Sequence, residues 1–153
     1  QLSEDIRRSK WEKMCWNCVF NPLTVIINDR VSKALDHPEM VRVIHQIVGE
    51  VAAVAAGLKV PLAEDMADKV VRWSQEIRDI DTSMYDDWKA GRPTEIESLN
   101  GYIVARGREF GIPTPVNEAP LVANGWQTSS MSPTPIAQAT SCGWIDVMPL
   151  VTL

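Results

Sequence analysis

Lys13, Asn17 and Asn21 stand four apart inside the otherwise apolar run Lys13-Met14-Cys15-Trp16-Asn17-Cys18-Val19-Phe20-Asn21-Pro22-Leu23-Thr24. Four residues advance an α-helix by about 400°, so the three drift by only about 40° per step and share one face. That face is a column of one cation and two amides. Trp16, Val19 and Phe20 fall to one side of it, and Met14 and Cys18 to the other. An ammonium group can hand a proton to a carbonyl oxygen. Amides both donate and accept, which suits a ligand carrying hydroxyl and carboxylate groups. A polar stripe with apolar borders therefore reads as the wall of a small-molecule pocket. The plainer alternatives are a lysine that snorkels to water and asparagines that bond nearby backbone. Asn21 precedes Pro22, where the helix is expected to bend.

The elements that must position this stripe are helical. The first helix is expected from about Ser3 to Phe20, resuming or bending after Pro22. Asp36-His37-Pro38-Glu39 reads as a helix start, with Asp36 as N-cap, proline in the first turn and Glu39 at the capping-box position. Val41, Ile44, Val48, Val51, Ala55 and Leu58 then recur on one face, and Gly57 is the expected stop. Pro61 is expected to open a further helix with Leu62, Met66, Val70, Trp73, Ile77 and Ile80 in register. Thr94-Glu95-Ile96-Glu97 reads as another capping box, ahead of Ile96, Leu99, Ile103 and Phe110, with Gly111 as terminator. Gly101, Ala105 and Gly107 are small enough for close helix contact. The expected fold is all-α.

Composition narrows the function classes. The 153 residues carry a net charge of −5, against the basic patch that nucleic-acid binding needs. Hydrophobic residues make up 45% and charged residues 23%, ordinary for a globular domain. No apolar run is expected to reach the ~20 residues of a membrane helix, and no secretory signal opens the chain. Three cysteines make a disulfide framework improbable, so the expected compartment is the cytoplasm. Cys15-Trp16-Asn17-Cys18 is a Cys-x-x-Cys, but it lacks a second ligand pair and Cys142 is far off. Both thiols are read as small core residues, with no metal expected. His37 and His45 show no catalytic pattern.

Residues 1–123 form the expected helical domain. Residues 124–153 are rich in Ser, Thr and Pro, a composition typical of disorder. The segment nevertheless has apolar anchors in Trp126, Trp144 and the stretch from Ile145 to Leu153. The expectation is a tail that packs across helices of its own or a second copy, giving a homodimer.

Three blocks carry a family resemblance. They are Lys13-x-x-x-Asn17-x-x-x-Asn21-Pro22-Leu23-Thr24; Thr82-Ser83-Met84-Tyr85-Asp86-Asp87; and Gly91-Arg92-Pro93-Thr94-Glu95-Ile96-Glu97-Ser98-Leu99-Asn100-Gly101. The match continues through Gly111-Ile112-Pro113-Thr114-Pro115-Val116-Asn117-Glu118. Over roughly residues 7–119 the chain resembles the C-terminal domain of ketopantoate reductases (2-dehydropantoate 2-reductases), and the likeness stops at Pro120. The resemblance implies a multi-helix domain similar to the 6-phosphogluconate dehydrogenase C-terminal type. It also implies an NADPH-dependent reduction of a 2-keto acid. Lys13 would be the general acid, Glu95 a catalytic carboxylate that contacts substrate, and Asn17, Asn21 and Ser83 substrate-binding residues. Asp87 would stand behind them.

On the residues alone, Ser83 reads as a helix N-cap and Glu95 as a carboxylate stabilising a helix start, a contribution of ~0.3–1 kcal/mol. Only the resemblance singles them out. The chain departs from the family in lacking any Gly-x-Gly-x-x-Gly phosphate loop. No NADPH is therefore expected to bind this chain alone, and it is expected to be inactive alone. A start at Gln1 fits a piece of a longer protein. The alternative is a stand-alone helical module that oligomerises or binds a partner.

Overall fold

The computed structural model describes residues 2–122. The readings placed on residues 124–153, including the tail's packing and its part in a dimer, lie outside the described residues. Among the described residues the order is α1 (Leu2–Ile27), α2 (Val31–Leu35), α3 (Pro38–Gly57), α4 (Met66–Glu76) and α5 (Ser83–Lys89). A 3-10 turn (Ile96–Ser98), α6 (Asn100–Phe110) and α7 (Pro115–Val122) follow. No strand occurs among these residues, and the all-α expectation holds.

The long α1 is the spine. It packs against α3, α5 and α2, while α6 closes against α3 and α7. Cys15, Cys18, Val19 and Phe20 of α1 are fully buried against Ile44, Val48 and Val51 of α3 and Ile96 and Ile103. Fully burying a side chain such as Phe20 contributes about 1.5–3 kcal/mol, so α1 is fixed mainly by this apolar side. The Trp16 indole Nε1 donates 3.0 Å to Ser74 Oγ, which in turn donates 2.7 Å to the Val70 carbonyl. Gly111 takes the left-handed conformation (φ 67°) that ends α6, as expected of a helix-terminating glycine. At Gly107 a Cβ would lie 2.7 Å from the Ile112 carbonyl oxygen, so the turn after α6 folds back onto bare helix backbone.

Several expectations are corrected. α1 does not stop at Phe20 but runs unbroken through Pro22 to Ile27. Asp36 is the C-cap of α2 rather than the N-cap of α3. His37 holds the N-cap position, and the Asp36 carboxylate pairs with Arg78. α3 is 20 residues long and, by length and composition alone, meets the membrane-span requirement that no run was expected to meet. Its Ile44, Ile47, Val48, Val51 and Val54 are nonetheless buried in the core.

α4 begins at Met66, not Pro61. Lys59 at φ 64° turns the chain, and Val60 N–H returns to the Ala55 carbonyl at 2.9 Å. The buried line of α4 is Met66, Val70 and Ser74, while Trp73 and Ile80 are more than a third exposed. Thr94 caps no helix. Its hydroxyl is buried without a hydrogen-bond partner among the described residues, and the chain enters a 3-10 turn before α6.

Candidate functional site

Helical spacing and burial build the stripe together. Lys13 lies at the half-buried edge of α1. Asn17 and Asn21 lie deeper, at 8% and 2% exposure. Their flanking residues Trp16, Cys18, Val19 and Phe20 are held in the core, which forces the intervening amides into a narrow polar seam. Among the described residues neither amide side chain forms a hydrogen bond. Their polar side-chain atoms are not among the fully enclosed unpaired ones, so the two amides keep an open edge in one column of α1.

One turn beyond Asn21, Thr24 is fully buried and donates 2.8 Å to the Phe20 carbonyl. Its Oγ1 also lies 2.8 Å from Thr82 Oγ1. Thr82 is the N-cap of α5 and accepts from Tyr85 N–H at 3.2 Å. Ser83, expected as the cap, is instead the first residue of the helix and is exposed. The two threonines therefore join the start of α5, where Ser83 follows Thr82, to α1 one turn past Asn21. Asp87, one turn along α5, is half-buried and pairs with Arg92 at 2.8 Å.

Glu95 stands in the N-cap position of the 3-10 turn, one residue before the first helical position expected for it, and its side chain makes no capping bond. The residue is exposed overall, yet its carboxyl is drawn partly out of water. That withdrawal, and then the negative charge of Asp87, raise its pKa above the ordinary glutamate value. Asp87 and Glu95 are thus electrostatic neighbours across the α5–turn junction. Five residues after Glu95, Asn100 Nδ2 donates 3.0 Å to the Cys18 carbonyl, next to Asn17. α5 is thus tied to α1 through Thr82 and Thr24, and the segment after Glu95 is tied to α1 through Asn100 and Cys18.

Cys15 and Cys18 behave as the core residues they were read to be. Burial, and then Glu12, push the Cys15 thiol up to about 12. Burial, and then Cys15, hold Cys18 well above the ordinary range. Among the described residues there is no group of three or more His, Cys, Asp or Glu able to hold a metal ion.

Sequence reasoning missed Thr24, Thr82, Asn100, Asn117 and Glu50 as the groups that fix the site. A signal was available for Asn100. A proline four residues after Cys18 in a helical run leaves one carbonyl in need of a donor. Asn28, just past α1 at φ 52°, accepts from Tyr85 Oη at 3.1 Å.

Comparison with known proteins places the chain in a family. The family model for the ketopantoate reductase PanE/ApbA C terminal matches residues 5–122. A 2-dehydropantoate 2-reductase of Vibrio cholerae is 38% identical over 116 residues, covering 75% of this chain and 39% of the relative. The solved 2-dehydropantoate 2-reductase of Methylococcus capsulatus superposes with TM-score 0.69 at 34% identity, over 75% of this chain and 40% of its own. D-mandelate dehydrogenase, solved with NADH and anilino(oxo)acetate, gives 0.69 at 28% identity, over 76% and 39%. The dimeric ketopantoate reductase of Staphylococcus aureus gives 0.70 at 27% identity, over 75% and 40%. The chain thus spans about two fifths of the length of the proteins it matches. From the stripe, its helical frame and the match over residues 5–122, the chain belongs to the ketopantoate reductase family and corresponds to that family's C-terminal helical domain.

Proposed function

We propose that this chain supplies the substrate wall and the proton of an NADPH-dependent reductase that converts ketopantoate to pantoate. The observation that carries the reading is the single α1 column of Lys13 above Asn17 and Asn21, with both amides buried and unbonded to described residues. In this reading the Lys13 ammonium donates a proton from Nζ to the developing alkoxide on the keto carbon. Asn17 and Asn21 orient the substrate's hydroxyl and carbonyl groups. Ser83, at the exposed first turn of α5, accepts the role of carboxylate holder, and the Glu95 carboxyl bonds the far side of the substrate. Asp87 acts on Glu95 through charge rather than contact.

NADPH supplies the hydride in reactions of this class. The residues present do not fit it. The sequence carries no Gly-x-Gly-x-x-Gly, and no strand-to-helix phosphate turn occurs among the described residues. The dinucleotide must be held by residues other than these. The proposal extends to a homodimer, supported by the dimeric relative, and to the cytoplasm as its compartment.

The reading is tested by assaying this chain with and without a dinucleotide-binding half. Ketopantoate-dependent NADPH oxidation is expected only when both are present. Turnover by the chain alone would overturn this division of labour, and no turnover by the pair would overturn the reading.

A further inference from the structure

We propose that Asn100 is a positioning residue for the stripe: its amide replaces the hydrogen bond that Pro22 removes from α1, and so holds Asn17 and Asn21 in register with the Glu95 turn. The functional side of this inference rests on the reading above. The structural side stands on α1 itself.

In an α-helix the N–H of each residue bonds the carbonyl four before it. Pro22 has no N–H, and its ring crowds the carbonyl of Cys18. That carbonyl would be orphaned in the middle of the core, since Cys18 is fully buried. Asn100 Nδ2 reaches it at 3.0 Å and also donates 3.1 Å to Asn117 Oδ1. Both neighbours of Nδ2 are acceptors, so the amide has one workable orientation. α1 therefore continues for a further turn to Thr24, where α5 is anchored, instead of breaking beside the stripe.

The support is layered. Asn117 Nδ2 donates 3.3 Å to the Ile47 carbonyl and 2.7 Å to Glu50 Oε2. Glu50 also accepts Val116 N–H and Asn117 N–H, each at 2.9 Å, and so satisfies the start of α7 from α3. Asn100 and Asn117 are both fully buried. One amide of α6 is thus backed by α7 and α3 and presented to the interior α1 carbonyl that Pro22 deprives of its helical donor.

The place of this contact gives it consequence. Cys18 lies between Asn17 and Asn21. Asn100 follows Glu95 across the short turn Ile96–Ser98, whose Ile96 is fully buried. The Asn100–Cys18 bond is therefore a direct strut between the stripe and the segment that carries Glu95. An apolar residue would fill the same space without the cost of burying an amide, and the polar pair is needed only because Pro22 stands where it does.

A double-mutant cycle on this chain tests the inference. Asn100→Leu is expected to lower the folding equilibrium constant roughly tenfold to a hundredfold, because it leaves a buried acceptor unpaired. Pro22→Ala restores a backbone N–H to the Cys18 carbonyl, so in that background the Asn100→Leu loss should shrink by at least about threefold. The orphaned Asn117 Oδ1 is common to both backgrounds and cancels. Positioning is read separately in fully folded protein. The side-chain 15NH2 resonances of Asn17 and Asn21 should move in Asn100→Leu and return toward their starting places with Pro22→Ala, while exposed Gln46 stays put. If Asn100→Leu alone does not fold, a folded double variant supports the strut and an unfolded one overturns it. Additive losses, or unmoved Asn17 and Asn21 resonances, would also overturn it. None of these readouts needs the enzyme reaction. An inactive reductase with a coupled cycle sinks the functional reading alone, and an active one with an additive cycle sinks the strut alone.

Discussion

Thr24 Oγ1 and Thr82 Oγ1 lie 2.8 Å apart, and the Phe20 and Asn21 carbonyls beside Thr24 favour Thr82 as the donor of the pair. With the Thr24 proton on the Phe20 carbonyl at 2.8 Å, the Thr82 hydroxyl donates to Thr24 and keeps a lone pair for Tyr85 N–H at 3.2 Å. A single ordered chain thus runs from the first turn of α5 into the backbone of α1. It ties the start of α5, which carries Ser83, to α1 one turn past Asn21.

Thr82→Val should remove both the cap and the donor to Thr24. An N-cap is worth ~1 kcal/mol and a typical hydrogen bond about as much, so urea unfolding should show a loss of about 1–3 kcal/mol. Thr82→Ser keeps the hydroxyl and should lose less than half of that. Equal losses for the two variants would mean that the methyl group, not the hydrogen-bond chain, joins α5 to α1.

Glu95 should titrate above the ordinary glutamate range. Its pKa is raised first by partial burial and then by Asp87. A folded-state pKa above the unfolded one means that the folded protein holds the proton more tightly. The resulting stabilisation is complete below the unfolded pKa and is lost as pH rises through the folded one. Glu95→Gln should abolish that dependence. Asp87→Asn should lower the Glu95 midpoint, followed by 13C NMR of the carboxyl carbon. An unchanged midpoint would show that the two carboxylates do not face each other.

The buried thiols should be inert. With Cys142→Ser in place, Cys15, raised to about 12, and the still more strongly raised Cys18 should react with a neutral alkylating reagent at pH 8 roughly 10³-fold more slowly than a free cysteine. The rate should rise in urea with the fraction unfolded. Rapid labelling in water would show that the α1 core opens around Cys15 and Cys18.

The polar column of α1 was legible because its four-residue spacing survives any choice of neighbours. The all-α architecture was legible from apolar periodicity at Ile44, Val48, Val51 and Ala55. Helix ends were less so. Asp36 and His37 both precede Pro38, and local chemistry favours aspartate as a cap. Arg78, distant in sequence, takes the Asp36 carboxylate instead. The break expected at Pro22 fails for the same kind of reason, since the compensating amide comes from Asn100, 82 positions after Cys18. The amphipathic line of α4 shifts to Ser74 because Trp16 brings an indole N–H that needs an acceptor. Ser83 and Glu95 carry no local signal at all, since a serine and a glutamate at helix starts are common on stability grounds alone.

The most direct measurement is the steady-state kinetics of Lys13→Ala in this chain joined to a ketopantoate reductase dinucleotide-binding half. With Lys13 as the proton donor, kcat for ketopantoate should fall by about 10²–10⁴-fold, the usual contribution of a general acid, while KM for NADPH stays unchanged. A kcat within about threefold of the unsubstituted protein would remove Lys13 from the reaction and contradict the assignment of the stripe.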